Sequence, residues 1–140
     1  MKICHVINSL NRGGAESHLL ELAKAQNNEG LLIDIVVIGK DNKNIFSIEQ
    51  ELIKCCNNIF RLNGPRMFNL FSYFKLKNLI KNNEYDIIHS HQPRSDYMIH
   101  ILKKYVFSKT LFKWIVSIHG KYDSYLCLLY TSPSPRDIGE

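Results

Sequence analysis

Three short stretches hold the residues best suited to chemistry. Asn8 to Glu16 reads Asn-Ser-Leu-Asn-Arg-Gly-Gly-Ala-Glu, and Ser90-His91-Gln92 and His119-Gly120 lie far downstream. Gly13-Gly14 sits between an apolar run, Ile3 to Ile7, and an amphipathic run, Ala15 to Asn28. A glycine pair there lets the backbone turn tightly and lets a ligand approach without a Cβ in the way. The helix start adds unpaired N–H groups and the positive end of a dipole. Arg12, Gly13 and Gly14 are therefore candidates for cradling an anion or a nucleotide. The plainer reading is that the glycines serve turn geometry alone. His91 and His119 are each either a working residue or a hydrogen-bonded structural one. His89 and His91 have strand spacing and share a face, yet no carboxylate or thiol completes a metal site, so no metal is assigned.

The elements that must position these residues follow from periodicity. Lys2 to Ile7, Ile33 to Ile38, Asn58 to Leu62, Asp86 to His91 and Trp114 to Ile118 read as strands. Between them lie helical patterns. The first buries Ala15, Leu19, Leu22, Ala23 and Gln26 on one face. The second opens on Ser47-Ile48-Glu49-Gln50, the spacing of a capping box, and runs to about Cys56. The third, Phe68 to Asn82, is apolar and aromatic with Lys75, Lys77 and Lys81 interspersed. It either packs on the sheet or contacts a membrane surface. The fourth starts at Pro93 and carries a stripe of Tyr97, Met98, Ile101, Leu102, Tyr105 and Val106.

This alternation implies an α/β fold, a Rossmann-like parallel sheet flanked by helices on both faces. In such a sheet ligands bind beyond the carboxyl ends of the strands, where strand order reverses. Reversal is expected beside the first strand, with the fourth and fifth as its neighbours there. That would bring Gly13-Gly14, His91 and His119 to one edge. Of the other imidazoles, His5 and His89 lie inside strands, and His18 and His100 inside helices.

The bulk numbers are consistent with this. The chain has 140 residues, which suggests one domain, and a formal net charge of +5. A mildly basic chain suits a phosphate-bearing ligand or an anionic membrane. Its four cysteines form neither a C-x-x-C pair nor a disulfide framework, as expected in a reducing cytoplasm. The N-terminal apolar run is too short for a signal peptide, and no stretch approaches the ~20 apolar residues of a membrane span. There is no G-x-G-x-x-G, no P-loop and no G-x-S-x-G. The lysines are dispersed, so nucleic acid is not an expected partner.

Three segments together resemble a known family. MKICHVINSLNRGGAESHLLELAKA is similar to the opening of family 4 glycosyltransferases of the GT-B fold. YDIIHSH resembles their fourth strand and WIVSIHG their fifth, in the same order and spacing, over about residues 1 to 122. The resemblance implies two Rossmann-like domains facing across a cleft. The amino-terminal one mainly binds the acceptor, and the carboxyl-terminal one binds the nucleotide-sugar donor. It implies no metal or other cofactor, and transfer that mostly retains anomeric configuration. Gly13 and Gly14 match the family's glycine turn, against the donor phosphates or the acceptor. His119 matches a histidine beside the transferred sugar, with Arg12, His91 and Gly120 expected to line the same site. The second domain is absent from this sequence. The chain is therefore expected to be an incomplete amino-terminal domain, residues 1–125, without transferase activity of its own. The parent would serve a glycan or lipid-linked acceptor, as in bacterial polysaccharide synthesis, with peripheral contact at the inner membrane surface. Residues 126–140 resemble translated sequencing adapter and are expected to be a non-native tail. Two other readings stay open: a nucleotide-sugar epimerase of related fold, and a non-catalytic module that binds a membrane or a protein.

Overall fold

The computed structural model describes residues 1–40, 47–64, 70–107 and 112–117. His119, Gly120 and the tail from 126 lie outside them, as does Phe68 at the start of the third expected helix. The described elements run β1 (Lys2–Ile7), α1 (Gly14–Asn28), β2 (Leu32–Val37), α2 (Glu49–Ile53), β3 (Asn58–Arg61), α3 (Leu70–Asn83), β4 (Ile87–Ser90), α4 (Pro93–Tyr105) and β5 (Lys113–Val116). The strands form one five-stranded sheet, in the order β3-β2-β1-β4-β5, and every pairing is parallel. This is the expected α/β Rossmann-like fold.

The chain steps outward from β1 to β3, then returns to lay β4 on the other side of β1. The reversal therefore falls between β1 and β4. Here one expectation needs correction: β5 neighbours β4, not β1. β1 is central, and all its residues from Ile3 to Ile7 are buried. Its near-continuous apolar run reflects cover on both faces. One face packs Ile7, Ile33, Ile35 and Val37 against Leu19, Leu20 and Ala23 of α1 and Leu52 of α2. The other packs Cys4, Val6, Val36 and Ile88 against Leu76 and Ile80 of α3 and Met98, Ile99 and Leu102 of α4.

Some local details differ from the sequence pattern. In α1, Leu20 rather than Leu22 is fully buried. The helix α2 is a single short turn that starts after Ile48, and the Ser47–Gln50 capping box does not form. Ser47 instead accepts a 3.1 Å hydrogen bond from the Glu49 N–H and pairs with Asn11 in an isolated bridge, while Gln50 is exposed. A lock of capping-box type occurs at α4, where the Gln92 N–H donates to Ser95 Oγ at 3.1 Å and that hydroxyl donates to the Gln92 carbonyl at 2.8 Å. This sets the phase of α4. Ser95, Met98, Ile99 and Leu102 face inward, and Tyr97, Tyr105 and Val106 face out. In α3 the inward residues are Ser72, Leu76 and Ile80. Its two phenylalanines point away from the sheet, Phe71 74% exposed and Phe74 56%, while Tyr73 packs against the core.

Candidate functional site

The carboxyl ends of β1, β2 and β4 are tied together at the reversal point. Asn8, just past β1, donates its N–H to Gln92 Oε1 at 2.8 Å. Its carbonyl accepts the Gly39 N–H at 2.8 Å, and its Oδ1 accepts from Arg94 Nη1 at 3.3 Å. Gly39 is required by space: a Cβ there would lie 3.0 Å from the Asn8 carbonyl oxygen. Three strand ends and the start of α4 thus form one clasp.

The glycine turn sits on this clasp. Gly13 caps α1 with φ −166° and ψ −171°, extended backbone that any residue adopts, so the turn itself does not demand glycine. A Cβ on Gly13 would lie 2.8 Å from Glu16 Oε1, so the missing side chain makes room for that carboxylate. Glu16 is buried in the first turn of α1, where the helix dipole favours a negative charge. Its Oε2 accepts from Gln92 Nε2 at 3.4 Å. Gly14 differs: nothing lies within 4 Å of where its Cβ would be. Gly13 has no side chain with which to cap α1, whose first N–H groups have no partner within the helix. Asn11 Oδ1, in the same turn, is buried with no hydrogen-bond partner among the described residues. The turn therefore offers the start of a helix beside an open position at Gly14, with the Glu16 carboxylate and Asn11 Oδ1 buried behind it. With Glu16 in the first turn of α1, a neutral ligand with hydroxyl groups suits that position better than a bare anion.

Arg12 lies at the edge of this site. It pairs with Glu51 in the middle of α2, both being partly exposed. Exposed pairs contribute little, about 0–1 kcal/mol, so Arg12 is readily released to another anion.

His91 is placed otherwise than expected. Its ring is fully buried, which removes it from direct contact with a ligand. Strand alternation puts His91 on the same face as His89, under α1. The sequence pattern gave no third partner for this pair; the structure supplies His5. In the parallel register His5 lies opposite His89. His5 Nδ1 is 2.8 Å from His91 Nε2, and His5 Nε2 is 2.7 Å from Gln26 Oε1 of α1. An amide oxygen only accepts, so His5 carries its proton on Nε2 and receives the Nε2–H of His91 on Nδ1. The His89 and His91 rings stack at 4.1 Å and 19°. His89 Nε2 also meets Ser117 Oγ, just past β5. Burial lowers the pKa of His5 to about 4, so it is neutral at physiological pH. Nitrogens of His5, His89 and His91 all lie within 4.8 Å of one another.

On the opposite face Trp114 Nε1 donates to Ser90 Oγ at 2.9 Å, fixing β5 to β4. A shallow groove between β3 and α3, lined by Phe60, Leu62, Lys75, Leu79 and Asn82, lies at the outer edge of the sheet.

Fold, reversal point and open glycine turn agree with one enzyme family. Residues 12–138 match the model of Glycosyltransferase Family 4. The chain belongs to that family. Its fold is that of solved GT-B glycosyltransferases. The lipopolysaccharide outer core galactosyltransferase WaaB is 13% identical, with a TM-score of 0.69 over 100% of this chain and 45% of its own. HepE of Anabaena, solved with UDP and glucose, is 15% identical, with a TM-score of 0.62 over 94% of this chain and 35% of its own. Sucrose-phosphate synthase of Thermosynechococcus elongatus is 14% identical, with a TM-score of 0.63 over 94% and 40%. This chain therefore spans less than half the length of each of these structures. No curated protein sequence matches it significantly. No described helix is long and apolar enough to cross a membrane.

Proposed function

We propose that this family 4 chain is the acceptor-side half of a retaining glycosyltransferase. The parent would move a sugar from a nucleotide-sugar donor to a glycan or a lipid-linked acceptor. The observation that carries this reading is Gly14, at the start of α1 with nothing within 4 Å of where its Cβ would be. Hydroxyl oxygens of an acceptor can take the N–H groups that a helix start leaves unpaired. The solved neighbours support a nucleotide-sugar donor, since HepE holds UDP and glucose. In the transfer, the bond from the anomeric carbon to the leaving phosphate oxygen breaks. The acceptor oxygen bonds to the same face of that carbon. Its proton passes to the leaving phosphate, so no protein base is required. His119 and Gly120 follow Ser117 beyond β5, and His119 would orient the sugar by a hydrogen bond.

Peripheral contact with the inner membrane surface is part of the reading. It rests on α3, whose exposed Leu70, Phe71 and Phe74 stand beside Lys77 and Lys81 with no acidic residue in the helix.

Isotope-edited NMR tests the acceptor assignment on the 140-residue chain. Short glycans and lipid-linked oligosaccharide head groups should shift the amides of Gly13 to Ser17. Gly14→Val should abolish those shifts while the β1 and β4 resonances stay in place. The same chain should turn over no nucleotide sugar. Shifts confined to other elements, or turnover by this chain alone, would overturn the reading.

A further inference from the structure

We propose that His5, His89 and His91 form a three-imidazole site for a borderline transition metal ion, with zinc(II) the best match. The site is separate from the acceptor surface and goes beyond sugar transfer. It is built by the two strands at the reversal point. His89 lies on β4, His91 stands just past its end, two residues on, and His5 stands opposite His89 on β1. A histidine pair spaced i, i+2 on one face with a third on the neighbouring strand gathers three imidazoles in one place. Their nitrogens already lie within 4.8 Å of each other, and all three residues are buried.

The surroundings favour an ion over a mere packing of rings. Gln26 Oε1 holds the Nε2–H of His5 at 2.7 Å, so the Nδ1 lone pair points at His91. Metal-bound histidines are oriented in just this way by an acceptor on the far nitrogen. The hydrogen now shared between His5 Nδ1 and His91 Nε2, 2.8 Å apart, occupies the place of the ion. Two nitrogens on tetrahedral zinc stand about 3.3 Å apart, given Zn–N bonds of about 2.0–2.1 Å. The pair therefore opens by roughly half an ångström, and the displaced proton moves to Nδ1 of His91. His89 has further to go. One ion cannot lie in the planes of two stacked rings, so His89 rotates off His91 and leaves Ser117 Oγ. His18 of α1, its ring 6.3 Å from that of His91, or a water completes the tetrahedron. The bound ion would pin β1 to β4 beneath the glycine turn.

The test uses the 140-residue chain stripped with a chelator and titrated with cobalt(II), then competed with zinc(II). The expected result is one tetrahedral cobalt per chain, with intense visible bands and no thiolate charge-transfer band, displaced by one equivalent of zinc. A thiolate band would assign the ion to cysteine and overturn the proposal. Gln26→Leu should weaken binding by about ten- to a hundredfold. His91→Gln should weaken it further, and His100→Gln should leave it unchanged. Should His91→Gln fail to fold, X-ray absorption on the zinc-loaded wild type decides, by counting imidazoles. No saturable binding in the micromolar range, or fewer than three imidazoles on the ion, refutes the site.

Discussion

Removing the exposed aromatic and basic residues of α3 should release the chain from anionic membranes, and the structure sets the size of the effect. Three lysines lie on this helix, but they are not equivalent. Lys75 Nζ donates to the Leu62 carbonyl at 3.3 Å and is directed toward the protein. Lys77 lies over the Phe74 ring at 5.0 Å, and Lys81 is exposed. Two lysines are thus available to lipid. Each contributes about 1 kcal/mol near an anionic surface, so together about 2 kcal/mol, or roughly thirtyfold in affinity. Phe71 and Phe74, more than half exposed, supply the apolar part. Co-sedimentation with vesicles of mixed phosphatidylglycerol and phosphatidylcholine measures both parts. K77Q/K81Q should cost about thirtyfold at low salt and much less at high salt, where the Debye length shrinks to about 3 Å. F71S/F74S should abolish binding at either salt. Equal binding to neutral and anionic vesicles, or binding untouched by F71S/F74S, would refute the assignment of α3 as the contact.

Two further outcomes follow from buried polar groups. With chelator present, stability should fall as pH drops through the window between 6.5 and about 4. His5, facing His18 on α1, His89 on β4 and His91 just past it, stays neutral in the fold while the unfolded chain takes up a proton. The loss is complete near pH 4 and amounts to about 3 kcal/mol, at about 1.36 kcal/mol per pKa unit. Urea unfolding at several pH values, compared with His5→Gln, isolates it; parallel pH profiles for the two proteins would contradict it. Tyr85→Phe removes the hydroxyl that donates to Asp34 Oδ2 at 2.6 Å, leaving Asn58 Nδ2 on Oδ1 at 3.0 Å. Because Asp34 is almost fully buried on β2, the substitution should cost about 1.5–3 kcal/mol in urea unfolding.

The order of elements was legible because each strand is apolar over a short run and each helix repeats at 3.6 residues. The phase of the helices was less so. In α4 a stripe through Tyr97, Ile101 and Tyr105 and one through Ser95, Met98, Ile99 and Leu102 both have helical spacing. The Gln92–Ser95 lock chooses the second, and its partners are invisible until the chain is folded. In α3 the aromatic residues are the strongest apolar signal, yet the smaller inward face of Ser72, Leu76 and Ile80 packs on the sheet. Hydrophobicity alone does not distinguish a residue buried in its own fold from one presented to a partner. His5 was hidden for another reason. It meets His91 across 86 positions of sequence, and only the parallel register of β1 and β4 brings them together.

The glycine pair shows how far a motif can be read before its space is known. Gly13-Gly14 looks like one device for a tight turn, but its two residues do different work. Gly13 is extended and yields its side-chain volume to the chain's own Glu16. Gly14 yields the same volume to nothing in the described residues. A substitution at Gly13 meets the far end of a flexible side chain, which can move. One at Gly14 meets nothing in the free chain and collides only with what binds there. Loss of ligand response without loss of stability should therefore belong to Gly14, and that asymmetry separates a binding turn from a merely tight one.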